Sequence, residues 1–255
     1  MSLLVQQATV PRQAEGHYGD AWAAVYDDLY ADRDDAVQVV RFVSRYASPA
    51  TVCEFGIGTG RIALPLVAAG FEVHGIDNSS EMLARLRTKP GAERIHARLG
   101  DMTDPREAGR FGCVLIAFST LYLLADRTLQ RRCIAAAARL LEPDGALIVE
   151  GFTPDPTRWH GGYSLSVAHW EDAAHSYTIG RIDPASQVIE TIRVDRLTDS
   201  ANELPNRLRY VLPAELDLMA EHAGLGLVDR FADLAGTPIG LGATDHVSVY
   251  RRIGN

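Results

Sequence analysis

Between residues 50 and 150 the chain alternates short apolar runs of strand character with stretches in which apolar residues recur every three or four positions. Val52, Cys53 and Phe55 lead into Gly56, Gly58 and Gly60, and Ile62, Ala63 and Leu64 follow with helical character. This stretch therefore reads as strand, tight turn, helix. Residues 71–77 alternate as a strand ending in Asp77, and Ser79 opens a helix to about residue 89. A strand over 94–99 leads to Gly100-Asp101-Met102, and a longer apolar strand covers 113–118. A helix over 127–141 is stopped by Pro143-Asp144-Gly145, and a strand over 146–150 closes the series. Strands alternating with helices predict a parallel sheet with helices on both faces.

Ahead of this region, Tyr18, Trp22, Val25, Tyr26, Leu29 and Tyr30 recur at helical spacing, predicting one amphipathic helix over 18–30 and a second over 36–46. Residues 1–16 show no period and read as a loosely packed arm. Past residue 152 the rhythm changes. Strand patterns at 164–169, 175–182, 188–197 and 206–212 follow one another without helices, which predicts a small inserted antiparallel sheet. A helix from Pro213 to near Gly224 and strands over 226–231 and 246–251 complete the chain. The expected organisation is a core of residues 1–151 and 213–255 carrying an insert of residues 152–212.

With 255 residues, 47% of them apolar, the chain can bury one substantial core. The formal charge of −8, with no lysine or arginine run, argues against nucleic acid as a partner. Cys53, Cys113 and Cys133 form no CxxC pair, which argues against both a disulfide framework and a zinc site and points to core packing. No stretch approaches the roughly 20 apolar residues that span a bilayer, and no leader pattern opens the chain. A cytoplasmic protein without membrane contact is expected.

The candidate chemistry lies where three strands end. In open α/β sheets ligands bind at the carboxyl ends of the strands, and there stand the glycine turn, Asp77 and Asp101. An acid after the second strand can accept both hydroxyls of a ribose, and one after the third can accept from a purine amine beside Met102. Together they indicate an adenosine-containing ligand. A dinucleotide fingerprint would place glycine where Arg61 stands, and Glu54 would repel a pyrophosphate while attracting an ammonium group. The ligand should therefore carry an amino group and no phosphate, a description that S-adenosylmethionine fits.

On these residues the chain resembles the class I S-adenosylmethionine-dependent methyltransferases. Glu54-Phe55-Gly56-Ile57-Gly58-Thr59-Gly60 is similar to the family's glycine motif, the segment from Gly75 through Asp77 to Leu83 to its second motif, and Gly100-Asp101-Met102 to its third. Leu140-Leu141-Glu142-Pro143-Asp144-Gly145-Ala146 resembles the turn into strand five. The resemblance implies a Rossmann-like, doubly wound seven-stranded sheet whose last strand is antiparallel. It also places Glu54, Gly56 and Gly58 along the methionine, Asp77 on the ribose, Asp101 and Met102 at the adenine, and Phe118 beside the site. Ile57, Arg61, Asn78 and Met82 complete the expected cofactor set. A narrower resemblance is to small-molecule methyltransferases of natural-product pathways, including those that N-methylate amino sugars. Their N-terminal cover carries two tyrosines eight residues apart, which Tyr18 and Tyr26 match. Those enzymes have a histidine just after strand four, where this chain has Phe118-Ser119-Thr120-Leu121-Tyr122.

The expected reaction is in-line methyl transfer to nitrogen or oxygen of a small-molecule acceptor. If the final strand runs backwards, its first residues lie on the ligand edge, which makes His246 the preferred base, with Tyr18 and Tyr122 beside it. Tyr122, Trp159, His160 and Tyr163 are the candidate acceptor contacts, while His169 and His175 belong to the inserted sheet. No cluster of acids and histidines at ligand spacing calls for a metal, apart from the chance pair Asp172 and His175. The inserted sheet offers a covering for the acceptor, an edge for a homodimer, or both. Two other readings compete: a nicotinamide-dependent oxidoreductase and a non-catalytic cofactor-binding protein of a pathway.

Overall fold

The structure is a computed structural model that describes residues 18–31, 35–106, 109–171, 174–197 and 200–254. The arm over 1–16 and Asp172 lie outside the described residues. Five strands, β1 (Thr51–Phe55), β2 (Glu72–Asp77), β3 (Ile95–Leu99), β4 (Phe111–Ile116) and β5 (Leu141–Phe152), pair in parallel in the order β5-β4-β1-β2-β3. An antiparallel sheet of four strands follows in sequence: β6 (Tyr163–Trp170), β7 (Ala174–Asp183), β8 (Val188–Leu197) and β9 (Ser200–Arg209). The main sheet is completed to seven strands by β10 (Leu225–Phe231) and β11 (Asp245–Arg252), and β11 is antiparallel to both β5 and β10.

Each face of the main sheet buries its own core because side chains alternate along a strand. Val52, Val73 and Leu115 pack with Phe42, Leu66 and Leu83 from α3 (Ala36–Tyr46), α4 (Ala63–Ala68) and α5 (Ser80–Arg87). Phe55, Val114 and Leu147 pack on the other face with Ile134 of α6 (Arg127–Leu140) and Leu216 of α7 (Pro213–His222). All three cysteines are buried and form no disulfide among the described residues. No helix among the described residues is long and apolar enough to cross a membrane. At the amino edge, Arg252 donates to Ala138 O at 2.8 Å and Arg110 to Leu141 O at 3.2 Å. These cations sit at the carbonyl end of α6, where its dipole favours positive charge.

Three predicted boundaries move, each for a local reason. Where the aromatic spacing predicts one helix over 18–30, there are two, α1 (Tyr18–Trp22) and α2 (Tyr26–Leu29), separated by a turn. The break frees Trp22 to donate its indole N–H to Pro205 O at 3.2 Å while Tyr26 lines the glycine turn. The strand predicted over 206–212 is β9, which starts six residues earlier and ends three residues earlier. Pro205 is tolerated inside it because β9 is an edge strand whose outward N–H groups have no ladder partner to lose. Pro143-Asp144-Gly145 does not end at a clean turn but forms an irregularity within β5, where pairing passes from Phe111↔Leu141 to Cys113↔Ala146.

Candidate cofactor and acceptor site

The glycine turn begins with Gly56 N–H and Ile57 N–H both donating to Ile76 O, at 2.7 and 3.1 Å, which binds the turn to β2. Gly56 has φ +72°, and a Cβ there would stand 2.4 Å from Thr120 Cγ2. Backbone conformation and space therefore both demand glycine. Gly58 N–H donates to Asp77 Oδ2 and Ser79 N–H to Asp77 Oδ1, each at 2.8 Å. Burial raises the Asp77 pKa against these amide hydrogen bonds, which favour the carboxylate. Its oxygens keep lone pairs for further donors.

Glu54 is the unusual group. It is 4% exposed, and its Oε2 is buried without a hydrogen-bond partner. Burial pushes its pKa up to about 8, with Arg61 pulling it down and Asp77 pushing it further up. A cleft opens beside it, lined by Tyr26, Gly56, Gly58, Arg61, Phe118 and Thr120 among others. A buried carboxylate oxygen without a donor is costly unless a cation or donor fills the space in front of it.

The N-terminal cover is clamped to this turn through its acids. Ser79 Oγ donates to Asp20 at 2.5 Å, Thr59 Oγ1 to Asp27 at 2.6 Å, and Lys89 Nζ to the same Asp27 oxygen at 2.8 Å. Arg61 Nη1 donates to Asp35 at 2.7 Å, and its guanidinium lies 5.2 Å from the centre of the Phe118 ring. Tyr18 stacks on Trp22 at 5.1 Å, Tyr26 meets Tyr30 at 4.7 Å, and Tyr30 meets Phe118 edge-on at 5.0 Å. Burial raises the hydroxyl pKa of Tyr26 to about 12 and that of Tyr18 further, so both stay protonated. Phe118 and Ser119 hold φ +52° and +58°, and Phe118 N–H donates to Glu150 Oε2 at 2.6 Å. Two successive left-handed residues other than glycine store roughly 1–3 kcal/mol each, a pattern that clusters at ligand sites.

Of the remaining expected cofactor residues, Ile57 and Met82 are buried, Asn78 is exposed and Met102 packs on the core. Asp101 is exposed and accepts from Thr103 N–H at 2.7 Å and from Thr103 Oγ1 at 2.9 Å.

Tyr122 and His246 stand elsewhere. Tyr122 is fully buried; its Oη lies 2.8 Å from Val211 O and 3.0 Å from Phe152 O, and accepts from Phe152 N–H at 3.2 Å. His246 pairs with Gly151 at the carboxyl edge, but it is only 2% exposed, with Nε2 3.4 Å from Tyr122 Oη and Nδ1 3.1 Å from Ser248 Oγ. Burial lowers its pKa to about 4, so the ring is neutral near pH 7. Neither residue lines the cleft. This burial sets both side chains apart from the cleft, and a base must reach the proton it takes.

The acceptor candidates are also divided. Gly161 and Gly162, with φ +60° and +87°, make the two-residue turn between His160 and Tyr163, which exchange backbone hydrogen bonds. Trp159 packs inward on the core, with its indole against Gly180. His160 is exposed, and Tyr163, at 67% exposure, lies on the outer side of the inserted sheet. His169 is exposed and His175 stacks on Trp170 at 5.0 Å.

The inner face of that sheet carries a polar band. Ser164, Gly180, Thr191 and Asn206 stand opposite one another across the four strands. On one side of the band Leu204 packs with Trp22 and Met82; on the other Ile182, Ile189 and Leu208 join the core. Asn206 Oδ1 is buried without a partner. Sequence reasoning missed Glu150, Asp35, Thr120 and Asn206. Glu150 was findable as an acid closing an apolar strand, whereas nothing around Asn206 marks it.

The family described as "Methyltransferase domain" matches residues 52–145. The CcbJ methyltransferase of Streptomyces caelestis is 35% identical, with a TM-score of 0.87 over 93% of this chain and 98% of that one. CalS10, an amino pentose methyltransferase of Micromonospora echinaspora solved with S-adenosylmethionine bound, shares the fold at 22% identity and a TM-score of 0.68, over 90% of this chain and 97% of its own. A dTDP-3-amino-3,4,6-trideoxy-glucopyranose N,N-dimethyltransferase of Streptomyces venezuelae is 28% identical over 136 residues, 50% of this chain and 56% of that protein. The chain matches the curated relatives over 41%, 53% and 56% of their length. Together with the glycine turn, the acids at the strand ends and the antiparallel last strand, these matches establish that the chain belongs to the S-adenosylmethionine-dependent methyltransferases.

Proposed function

We propose that this chain methylates an amine or hydroxyl of a small polar acceptor, with an amino group on a sugar-like molecule as the favoured class. The observation that carries the reading is the unpartnered Glu54 carboxylate in the cleft. S-adenosylmethionine is the cofactor, and it supplies an activated methyl group on a sulfonium leaving group. In this reading Glu54 receives the cofactor's ammonium, Asp77 the ribose hydroxyls, and Asp101 with Met102 the adenine. Tyr18, Tyr26 and Phe118 close the cleft against water.

The polar band of the insert, with Trp159, forms the acceptor's wall, making residues 152–212 an acceptor cover on the core. Polar side chains there suit an acceptor rich in hydroxyl and amino groups, which agrees with the amino-sugar substrate in the name of the Streptomyces venezuelae relative. Holding such an acceptor in line supplies much of the acceleration, on the order of 7–11 kcal/mol for well-oriented reactants. A neutral amine needs no base before transfer, which suits a site whose histidine is buried away from the cleft. Tyr122 and His246 act as scaffold in this reading.

The charge of −8, with no lysine or arginine run, supports an enzyme that does not act on nucleic acid. Exposed Leu165, Val167 and Trp170 on the edge strand β6 support a homodimer through the insert. Calorimetric titration with S-adenosylmethionine, followed by release of S-adenosylhomocysteine across a panel of amino sugars and their nucleotide-linked forms, tests the reading. Cofactor binding with turnover on that panel supports it. Tight binding of reduced nicotinamide cofactor without binding of S-adenosylmethionine would overturn it.

A further inference from the structure

Glu72, His74 and His96 meet at the edge of the main sheet opposite the cofactor cleft. β2 and β3 are parallel with His74 opposite His96, and Glu72, two residues before His74, projects from the same face. Glu72 Oε1 lies 3.1 Å from His74 Nε2, and the two imidazoles are 4.7 Å apart at 36°. One ligand atom from each of the three residues falls within 4.8 Å of the others. Glu72 and His96 are exposed and β3 is the outermost strand, so the group is open to solvent. Phe111 stands edge-on to His74 at 5.0 Å and limits the swing of its ring.

We propose that Glu72, His74 and His96 bind a divalent transition-metal ion of the zinc class. Two imidazole nitrogens and one carboxylate oxygen form a donor set suited to Zn²⁺, leaving a fourth position for water. Bonds of about 2.0–2.1 Å in a tetrahedron put ligand atoms roughly 3.3 Å apart. The Glu72–His74 pair already stands at 3.1 Å, and the widest separation allowed by the 4.8 Å limit closes by roughly 1.5 Å through rotation of exposed side chains. Sequence spacing conceals the group because its third arm comes from the neighbouring strand. The ion would fasten edge strand β3 to β2. Its ligands on β2 lie three and five residues, roughly 10 and 17 Å along the strand, before Asp77, so the site is structural and takes no part in methyl transfer.

The test uses the full chain, free of any polyhistidine tag and stripped with chelator, titrated calorimetrically with ZnCl₂ and then melted with and without the ion. Saturable binding of one equivalent is expected, with a rise in melting temperature on addition of Zn²⁺. His96→Gln and Glu72→Gln each weaken binding by at least about tenfold, and the surface control His222→Gln does not. All three variants keep wild-type affinity for S-adenosylmethionine, so this proposal and the methyltransferase reading fail separately. No saturable binding below about 100 µM, or binding that survives His96→Gln unchanged, would overturn it and leave an ordinary hydrogen-bonded surface pair.

Discussion

Two buried polar groups stand at the carboxyl edge of the same sheet, and they differ in one respect. Around Tyr122 and His246 the phenol oxygen and both imidazole nitrogens have partners within 3.4 Å. At Glu54 a carboxylate oxygen is equally buried and has none. Burial with every partner supplied tightens a scaffold, while burial with a partner missing marks the place of a ligand. A reactive-looking histidine at the right edge is therefore weaker evidence of chemistry than a carboxylate short of a donor.

The largest effect that would sharpen this contrast is on the unliganded protein. Glu54 has a folded pKa of about 8, above its unfolded value of 4.5, so the folded state favours the proton. Stability from this group is present below pH 4.5 and lost as pH rises through 8, amounting to roughly 5 kcal/mol if the full shift is realised. Glu54→Gln should remove that slope and stabilise the ligand-free chain near neutral pH, as denaturant unfolding at several pH values will show; a less stable variant would break the contrast. His246 has the opposite sign. Its folded pKa of about 4 lies below 6.5, so stability is lost as pH falls from 6.5 to 4.

Next in size, Tyr122→Phe deprives the carbonyls of Phe152 and Val211 of their shared donor and should cost about 1–3 kcal/mol of stability. Its dissociation constant for S-adenosylmethionine should stay at the wild-type value, and a large loss of affinity would place Tyr122 in the site after all. The smallest expected effect is at Asn206. Asn206→Ala should raise KM for an amino-sugar acceptor by about tenfold, a change of about 1.4 kcal/mol, with cofactor affinity unaltered. An unchanged KM would remove the inner face of the insert from the acceptor wall.

The sheet, its crossovers and the cofactor edge were legible in the sequence because each depends on local signals: apolar period, glycines at alternate positions, acids at strand ends. Glu54 was legible for the same reason, standing two residues before Gly56 with a charge that a phosphate ligand would not tolerate. What escaped depends on pairing between distant segments. Asn206 becomes an inward residue only through the register of β8 and β9, while the local pattern predicts its strand over 206–212. His246 lies on the predicted edge, yet its burial is set by Gly151, where a Cβ would come within 2.3 Å of Tyr122 Oη. Asp35 and Arg61 are 26 residues apart, and nothing in either segment announces the pair.

The central claim is that the Glu54 carboxylate awaits the ammonium group of the cofactor. Calorimetric titration of wild type and Glu54→Gln with S-adenosylmethionine and with its analogue lacking the α-amino group measures that pairing as a coupling energy. The account predicts that Glu54→Gln weakens S-adenosylmethionine by roughly 2–5 kcal/mol, as for truncation of a buried charge pair, and leaves the analogue's affinity nearly unchanged. Equal losses for both ligands, or none for either, would contradict it.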